Sequence, residues 1–236
     1  MANPLFQRLT LLAGDRAVQA VEKSRVIIAG IGGVGSWCAE ALVRSGIGAI
    51  TLIDSDIVSV SDFNRQIQAL SGNIGLLKTE ALKERFNEIN PACQVTSIPR
   101  FFSGEKAKLF NISEADYVID AIDSLESKLD LIETTAASGK RLFSSMGMAQ
   151  KIDPTQIKTA DIWKTSVCPL ARFVRIGLKK RGFSGNFTVV YSSEKPQRRE
   201  NEALGSFMPV TAAAGMVLAS LVIRDIWRKF ADGVSS

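Results

Sequence analysis

The sequence predicts an α/β fold built on a mostly parallel sheet with an antiparallel C-terminal extension. Three observations carry that prediction. Short β-branched runs alternate with helical patterns through the first 150 residues. The run RVIIA at 25–29 is apolar throughout, as a central parallel strand covered on both faces requires. It leads straight into Gly30-Ile31-Gly32-Gly33-Val34-Gly35, and a helical pattern follows at once.

The elements follow in order. Residues 4–20 carry Leu5, Leu9, Leu12 and Val18 at helical spacing and predict one helix. After the strand at 25–29, residues 34–45 predict a helix stopped by Gly46, and 49–53 a second strand ending at Asp54. Strand, glycine turn, helix and strand make a βαβ unit. Residues 78–90 predict a helix stopped by Pro91, 94–98 a strand and 105–110 a short helix. A strand at 117–119 is expected to leave Asp120 and Asp123 just beyond its end. Ser124 is a plausible cap for a helix over 124–138, Gly139 its stop, and 141–145 the next strand. Past Gly147 the alternation fades. Strands at 157–160 and 188–192 flank a basic helix at 170–181, a polar loop fills 193–208, and a last helix covers 209–230.

With 236 residues, 46% hydrophobic and 22% charged, the chain suits one domain, 1–236. Cys38, Cys93 and Cys168 form no Cys-x-x-Cys pair, which points to packing residues in a reducing cytoplasm and to no zinc. The chain has no histidine, which excludes a histidine base, a Ser-His-Asp triad and a histidine-ligated metal. The N-terminal residues do not read as a signal peptide. The apolar run 210–223 is 14 residues long, short of the roughly 20 that span a bilayer, so a buried helix and no membrane partner is the expectation. Net charge is +5, unevenly placed: nine basic residues against Glu194 alone give 164–199 a charge of +8. Such an excess is the footprint of a polyanion partner or a solvated helix face.

The glycine turn has a physical reading. A tight turn and close approach to phosphate both disfavour a Cβ, and a helix N-terminus offers free N–H groups to an anion. Asp54, about 20 residues on, stands where a carboxylate binds ribose hydroxyls. The pattern is Rossmann-like and by itself serves either NAD or ATP. Cations at successive strand ends favour ATP: Arg65 and Lys78 can neutralise a triphosphate, with Asp56, Asn64, Gln66 and the Asp120–Asp123 turn nearby.

The set GxGGxG, Asp54-x-Asp56, Asn64-Arg65-Gln66, Gly75-x-x-Lys78 and Asp120-Ala-x-Asp123 resembles the E1-like adenylating enzymes. This likeness covers about residues 5–150. Further runs, among them Gly46 to Ser55, Ile89 to Ala92, Val118 to Leu125 and Ile152 to Lys158, are similar to the branch of that family that dehydrates threonylcarbamoyladenosine in tRNA. The resemblance implies an E1-type fold, ATP bound at Gly30, Gly32, Gly33 and Gly35, and Asp54 on the ribose. It implies Arg65, Lys78 and Asn64 around the phosphates and Asp123 on Mg2+ or the attacking carboxylate. It implies a homodimer in which Arg8 reaches the partner's ATP, with residues 1–150 as the nucleotide-binding part and 151–236 as the substrate and dimer part. The implied reaction is ATP-dependent cyclisation of N6-threonylcarbamoyladenosine at tRNA position 37 through a carboxyl-adenylate. Arg172, Arg175, Lys179, Lys180 and Arg181 are then candidates for gripping tRNA, and a monovalent cation site and a sulfur-transfer or carrier partner stay open. The chain departs from relatives that hold zinc with two Cys-x-x-Cys pairs, and 204–211 lacks a cysteine associated with some of the dehydratase branch. Cys168 is the one candidate for a thioester-forming residue. Activation of a ubiquitin-like sulfur carrier, a non-catalytic nucleotide-binding scaffold and an NAD-dependent oxidoreductase are the alternatives.

Overall fold

The structure, a computed structural model, describes residues 3–197 and 204–232, with side chains to residue 229. Seven strands form one sheet: β1 (Arg25–Ala29), β2 (Ala49–Ile53), β3 (Gln94–Ile98), β4 (Tyr117–Asp120), β5 (Arg141–Ser145), β6 (Ile157–Asp161) and β7 (Thr188–Ser192). Their order is β3-β2-β1-β4-β5-β7-β6. Every neighbouring pair is parallel except β6 with β7. The order turns back on itself between β1 and β4, and ligands of open α/β sheets bind in the crevice at such a point.

The helices are α1 (Gln7–Ala13), α2 (Asp15–Glu22), α3 (Gly35–Arg44), α4 (Lys78–Ile89), α5 (Leu125–Ala137), α6 (Pro169–Lys180) and α7 (Met208–Asp232). Strand alternation divides the core in two. Val26 and Ile28 of β1 join Leu42 of α3, Phe86 of α4 and Leu218 of α7 on one face. Ile27 and Ala29 join Leu131 of α5 and Val174 of α6 on the other. That double burial is why RVIIA carries no polar residue after Arg25.

Three expectations need correction. The N-terminal helix is two, α1 and α2, because Gly14 sits at φ 85° and the chain turns there before Asp15 opens the next helix. Asp120 is the last residue of β4 rather than beyond it, and is fully buried. The last helix has 25 residues, and its stretch Met208–Lys229 is long and apolar enough to cross a membrane by length and composition. Length therefore decides nothing here, but packing does. Val210, Ala214, Leu218, Val222 and Ile226 line one row that is buried in the core beside α3. Burying each large aliphatic side chain stabilises by about 1.5–3 kcal/mol. Gly215 lets the two helices approach, since a Cβ there would stand 2.5 Å from the Val34 carbonyl oxygen. Arg198 and Arg199 lie outside the described residues, as does part of the expected loop at 193–208.

Candidate active site

A cavity of about 560 Å3 opens at the carboxyl ends of the strands. Gly30, Gly32 and Gly33 line it, with Asp54 and Asp56 after β2 and Asp123 after β4. Arg65 and Gln66 reach it from the segment between β2 and α4, and Lys78 from the first turn of α4. The glycines divide the work. Gly30 takes φ 82°, and a Cβ on it would stand 2.6 Å from the Ala121 carbonyl oxygen. Gly35 does not line the cavity; a Cβ there would stand 1.9 Å from the Gly30 carbonyl oxygen, so this glycine seats α3 against the end of β1. Gly32 and Gly33 form the lining at the turn itself, where backbone N–H groups and the start of α3 favour an anion.

The charged groups are held by one another. The Lys78 ammonium, on a buried side chain, donates to Asp56 Oδ2 at 2.9 Å and lies 3.9 Å from Asp62 Oδ2. Arg65 donates to the Ser61 carbonyl at 2.7 Å and pairs with Asp62 at 3.5 Å. The Trp37 indole N–H donates to the Arg65 carbonyl, pinning this segment to α3. Both Asp54 oxygens accept backbone N–H groups, from Ile31 and from Asp56, each at 2.9 Å. Burial raises the Asp54 carboxyl above its ordinary value; the two N–H groups and the Lys78 charge oppose that rise. Gln66 donates to Asp62, and Gln68 donates to both Gln66 and the Ile31 carbonyl, bracing the glycine turn from below.

Besides Gly35, two more predicted members, Asn64 and Arg8, stand outside the cavity lining. Asn64 donates to the Ser206 carbonyl and accepts from Arg65, so it orients the arginine. Arg8 lies exposed on α1, away from its own chain's cavity. Cys168 is buried at the start of α6, its thiol 3.9 Å from the Gly147 carbonyl, and so fits a packing role. Burial pushes the Cys93 thiol up to about 11 and the Cys38 thiol higher still.

The basic stretch splits as well. Arg181 is not an open cation: its guanidinium pairs with Glu126, Asp130 and Glu133 of α5, which raises its pKa further. Arg175 donates to Thr165 Oγ1. Arg172, Lys179 and Lys180 stay exposed, with Lys179 set 5.9 Å from the centre of the Trp163 ring.

Sequence reasoning missed several lining residues. Arg100 and Phe101 follow β3, Met146–Ala149 follow β5, and Thr211 comes from the first turn of α7. The first two groups carried a usable signal, since each continues a strand whose carboxyl end faces the same crevice. Thr211 carried none, because only the packing of α7 on α3 brings it there.

Beneath the cavity lies a buried ion pair. Lys128 Nζ donates to Asp120 Oδ2 at 2.7 Å and to the Ser145 carbonyl at 3.0 Å, and both charged side chains are fully buried. Asp120 also accepts from Ser144 Oγ at 2.6 Å and from the Ile122 N–H at 3.1 Å. The pair thus joins the turn that carries Asp123 to the end of β5.

The donor set fits Mg2+. Asp54, Asp56 and Asp62 are engaged as described, whereas Asp123 is exposed to the cavity and in no ion pair among the described residues. Among those residues no three His, Cys, Asp or Glu side chains cluster as a metal site. Mg2+ needs no such cluster, since one or two carboxylates and phosphate oxygens suffice.

Comparison with known proteins agrees with this geometry. The tRNA threonylcarbamoyladenosine dehydratase of Bacillus subtilis (strain 168) is 40% identical over 191 residues, covering 81% of this chain and 75% of that protein. The E. coli tRNA N6-threonylcarbamoyladenosine dehydratase, TcdA, in complex with AMP superposes with a TM-score of 0.93 at 37% identity, covering 98% of this chain and 99% of that one. The same enzyme in complex with ATP gives a TM-score of 0.90 at 39% identity, covering 96% and 95%. The model of the ThiF family matches residues 6–232. With the glycine turn, the carboxylates at successive strand ends and the sheet order all in place, this chain belongs to the ThiF family.

Proposed function

We propose that this chain is an ATP-dependent dehydratase that cyclises N6-threonylcarbamoyladenosine at position 37 of tRNA, working in the cytoplasm as a homodimer. One observation carries the reading: along a chain whose likeness to the dehydratases is nearly end to end, Gly30, Gly32, Gly33, Arg65, Lys78 and Asp123 meet in one cavity.

A carboxylate is a poor electrophile, and adenylation supplies a leaving group. A threonyl carboxylate oxygen attacks the α-phosphorus of ATP, the α–β bond breaks, and pyrophosphate leaves. The carbamoyl group then attacks the activated acyl carbon, loses a proton and expels AMP. The base ends one water lighter, and that oxygen departs in AMP. Asp54 accepts from the ribose, and the N–H groups of the glycine turn face the phosphates. Lys78 and Arg65 exchange part of their hold on Asp56 and Asp62 for phosphate oxygens as negative charge moves onto pyrophosphate. Asp123 would hold Mg2+, which supplies charge neutralisation at the phosphates when bound.

Residues 1–150 hold the nucleotide in this reading, and 151–236 serve substrate and dimer. The apolar row of α7 faces its own core, so it is no argument for a dimer. Support comes instead from α1 and the turn before it, which expose Leu5, Leu11 and Leu12 beside Arg8. In this reading a second copy covers that surface, and Arg8 serves the partner's cavity.

The test is release of AMP from ATP in the presence of tRNA. The proposal expects release with tRNA that bears threonylcarbamoyladenosine and none with tRNA that lacks it. Release that needs a small carrier protein with a C-terminal Gly-Gly, and ignores the tRNA, would favour the sulfur-carrier alternative.

A further inference from the structure

An amphipathic helix at a protein surface turns its polar residues outward. Helix α6 does so only in part. Ala171, Val174 and Leu178 face the core, and the opposite side presents Arg172, Phe173, Ile176, Lys179 and Lys180. Phe173 is 54% exposed and Ile176 40%, so two large apolar side chains stand in solvent at the centre of a cationic stripe. Among the described residues, none of the three flanking cations is in an ion pair, whereas Arg181 at the end of the helix is in three. The same helix reaches the active site: Leu170, packed on the core, lines the nucleotide cavity, and Phe173 lies about one helical turn further on.

We infer that this face of α6 is a stacking platform for unpaired RNA bases, with Phe173 as the residue on which a base stacks and Arg172, Lys179 and Lys180 as the phosphate contacts around it. The inference rests on the tRNA reading above and names the part of the RNA that the surface takes. Duplex RNA is held through its phosphates and 2′-hydroxyls and has little use for a projecting phenyl ring; splayed single-stranded bases stack on aromatic side chains while the backbone follows cations. The charge disfavours a basic partner, and the nucleotides beside a reacting adenosine would leave the cavity past Leu170, on the helix that carries Phe173.

The experiment measures binding of an anticodon stem-loop RNA carrying threonylcarbamoyladenosine, across a range of salt, to wild type, Phe173→Ala, Phe173→Trp and Lys179→Ala/Lys180→Ala. Because Phe173 is exposed, its variants are expected to melt with wild type. Phe173→Ala should weaken binding about 5- to 150-fold, the range for losing one base–aromatic stack, with the salt slope and ATP affinity unchanged. Phe173→Trp should bind as wild type. The double lysine variant should instead flatten the slope by about 0.7–0.9 for each lost phosphate contact. Wild-type protein that binds no such RNA overturns the functional reading and this inference with it. Wild type that binds, with Phe173→Ala equally tight, overturns this inference alone. So does dissociation of a dimer in Phe173→Ala, which would give the stripe to a second copy of the chain.

Discussion

Lys128→Met is the perturbation whose size the structure sets most clearly. Lys128 and Asp120 are both fully buried, and their pair is 2.7 Å long. Methionine keeps most of the side-chain volume but removes the charge. The Asp120 carboxylate is then left in the interior with the Ser144 hydroxyl and the Ile122 N–H as its remaining partners. Breaking one side of a buried pair costs about 3–5 kcal/mol. For a domain of this size each kcal/mol moves the melting temperature by about 2–4 °C, so a fall of about 6–20 °C is expected. The companion variant Asp120→Leu/Lys128→Met removes both charges, and such replacements are often neutral. It should recover most of the lost stability. It should not recover turnover, because nothing then joins the Ile122 N–H and the Ser145 carbonyl beneath the cavity. Thermal melting and AMP release on the same preparations decide the matter. A Lys128→Met protein that melts within about 2 °C of wild type, or a double variant with wild-type turnover, would refute the reasoning.

Three further outcomes are expected. Asp123→Ala should fold normally, since the side chain is exposed, and lose on the order of 100-fold or more in turnover; wild-type rates in a folded variant would remove its role. Inactive Arg8→Ala mixed with inactive Lys78→Ala should regain activity, because one hybrid site is intact, and no recovery after proven subunit exchange would place Arg8 outside the chemistry. Although burial alone would raise its pKa, the Asp225 carboxyl is held below its ordinary value by hydrogen bonds from Tyr117 and Lys229 and by the Arg141 charge. A depressed native pKa stabilises above the unfolded value of about 3.9 and is lost as pH falls through the native one. The stability gap between wild type and Asp225→Asn should thus be full at neutral pH and close only in stronger acid, which melting as a function of pH will show.

The sequence was most legible where one physical demand acts locally. The strand β1, the glycine turn after it and Asp54 at the end of β2 are each set by neighbours a few residues away, and all were found in place. It was least legible where partners are distant in the chain. Asp120 read as a ligand-facing acid until Lys128 and the end of β5 closed around it. Arg181 read as an open cation, but three carboxylates of α5, about 50 residues away, take its charge. Thr211 joins the cavity only because Gly215 lets α7 lie on α3, a contact that no local pattern announces. Gly35 was legible as part of the motif, but its place against the end of β1, outside the cavity lining, was not.

The central claim is dehydration of a modified tRNA base, and one measurement addresses it directly. The protein is incubated with Mg2+, ATP and tRNA bearing N6-threonylcarbamoyladenosine; the tRNA is then digested and its nucleosides are weighed by mass spectrometry. The account predicts that threonylcarbamoyladenosine disappears and a nucleoside lighter by one water takes its place, only when ATP is present and not with Lys78→Ala. Unchanged threonylcarbamoyladenosine in the presence of an enzyme that binds both ATP and the tRNA would contradict it.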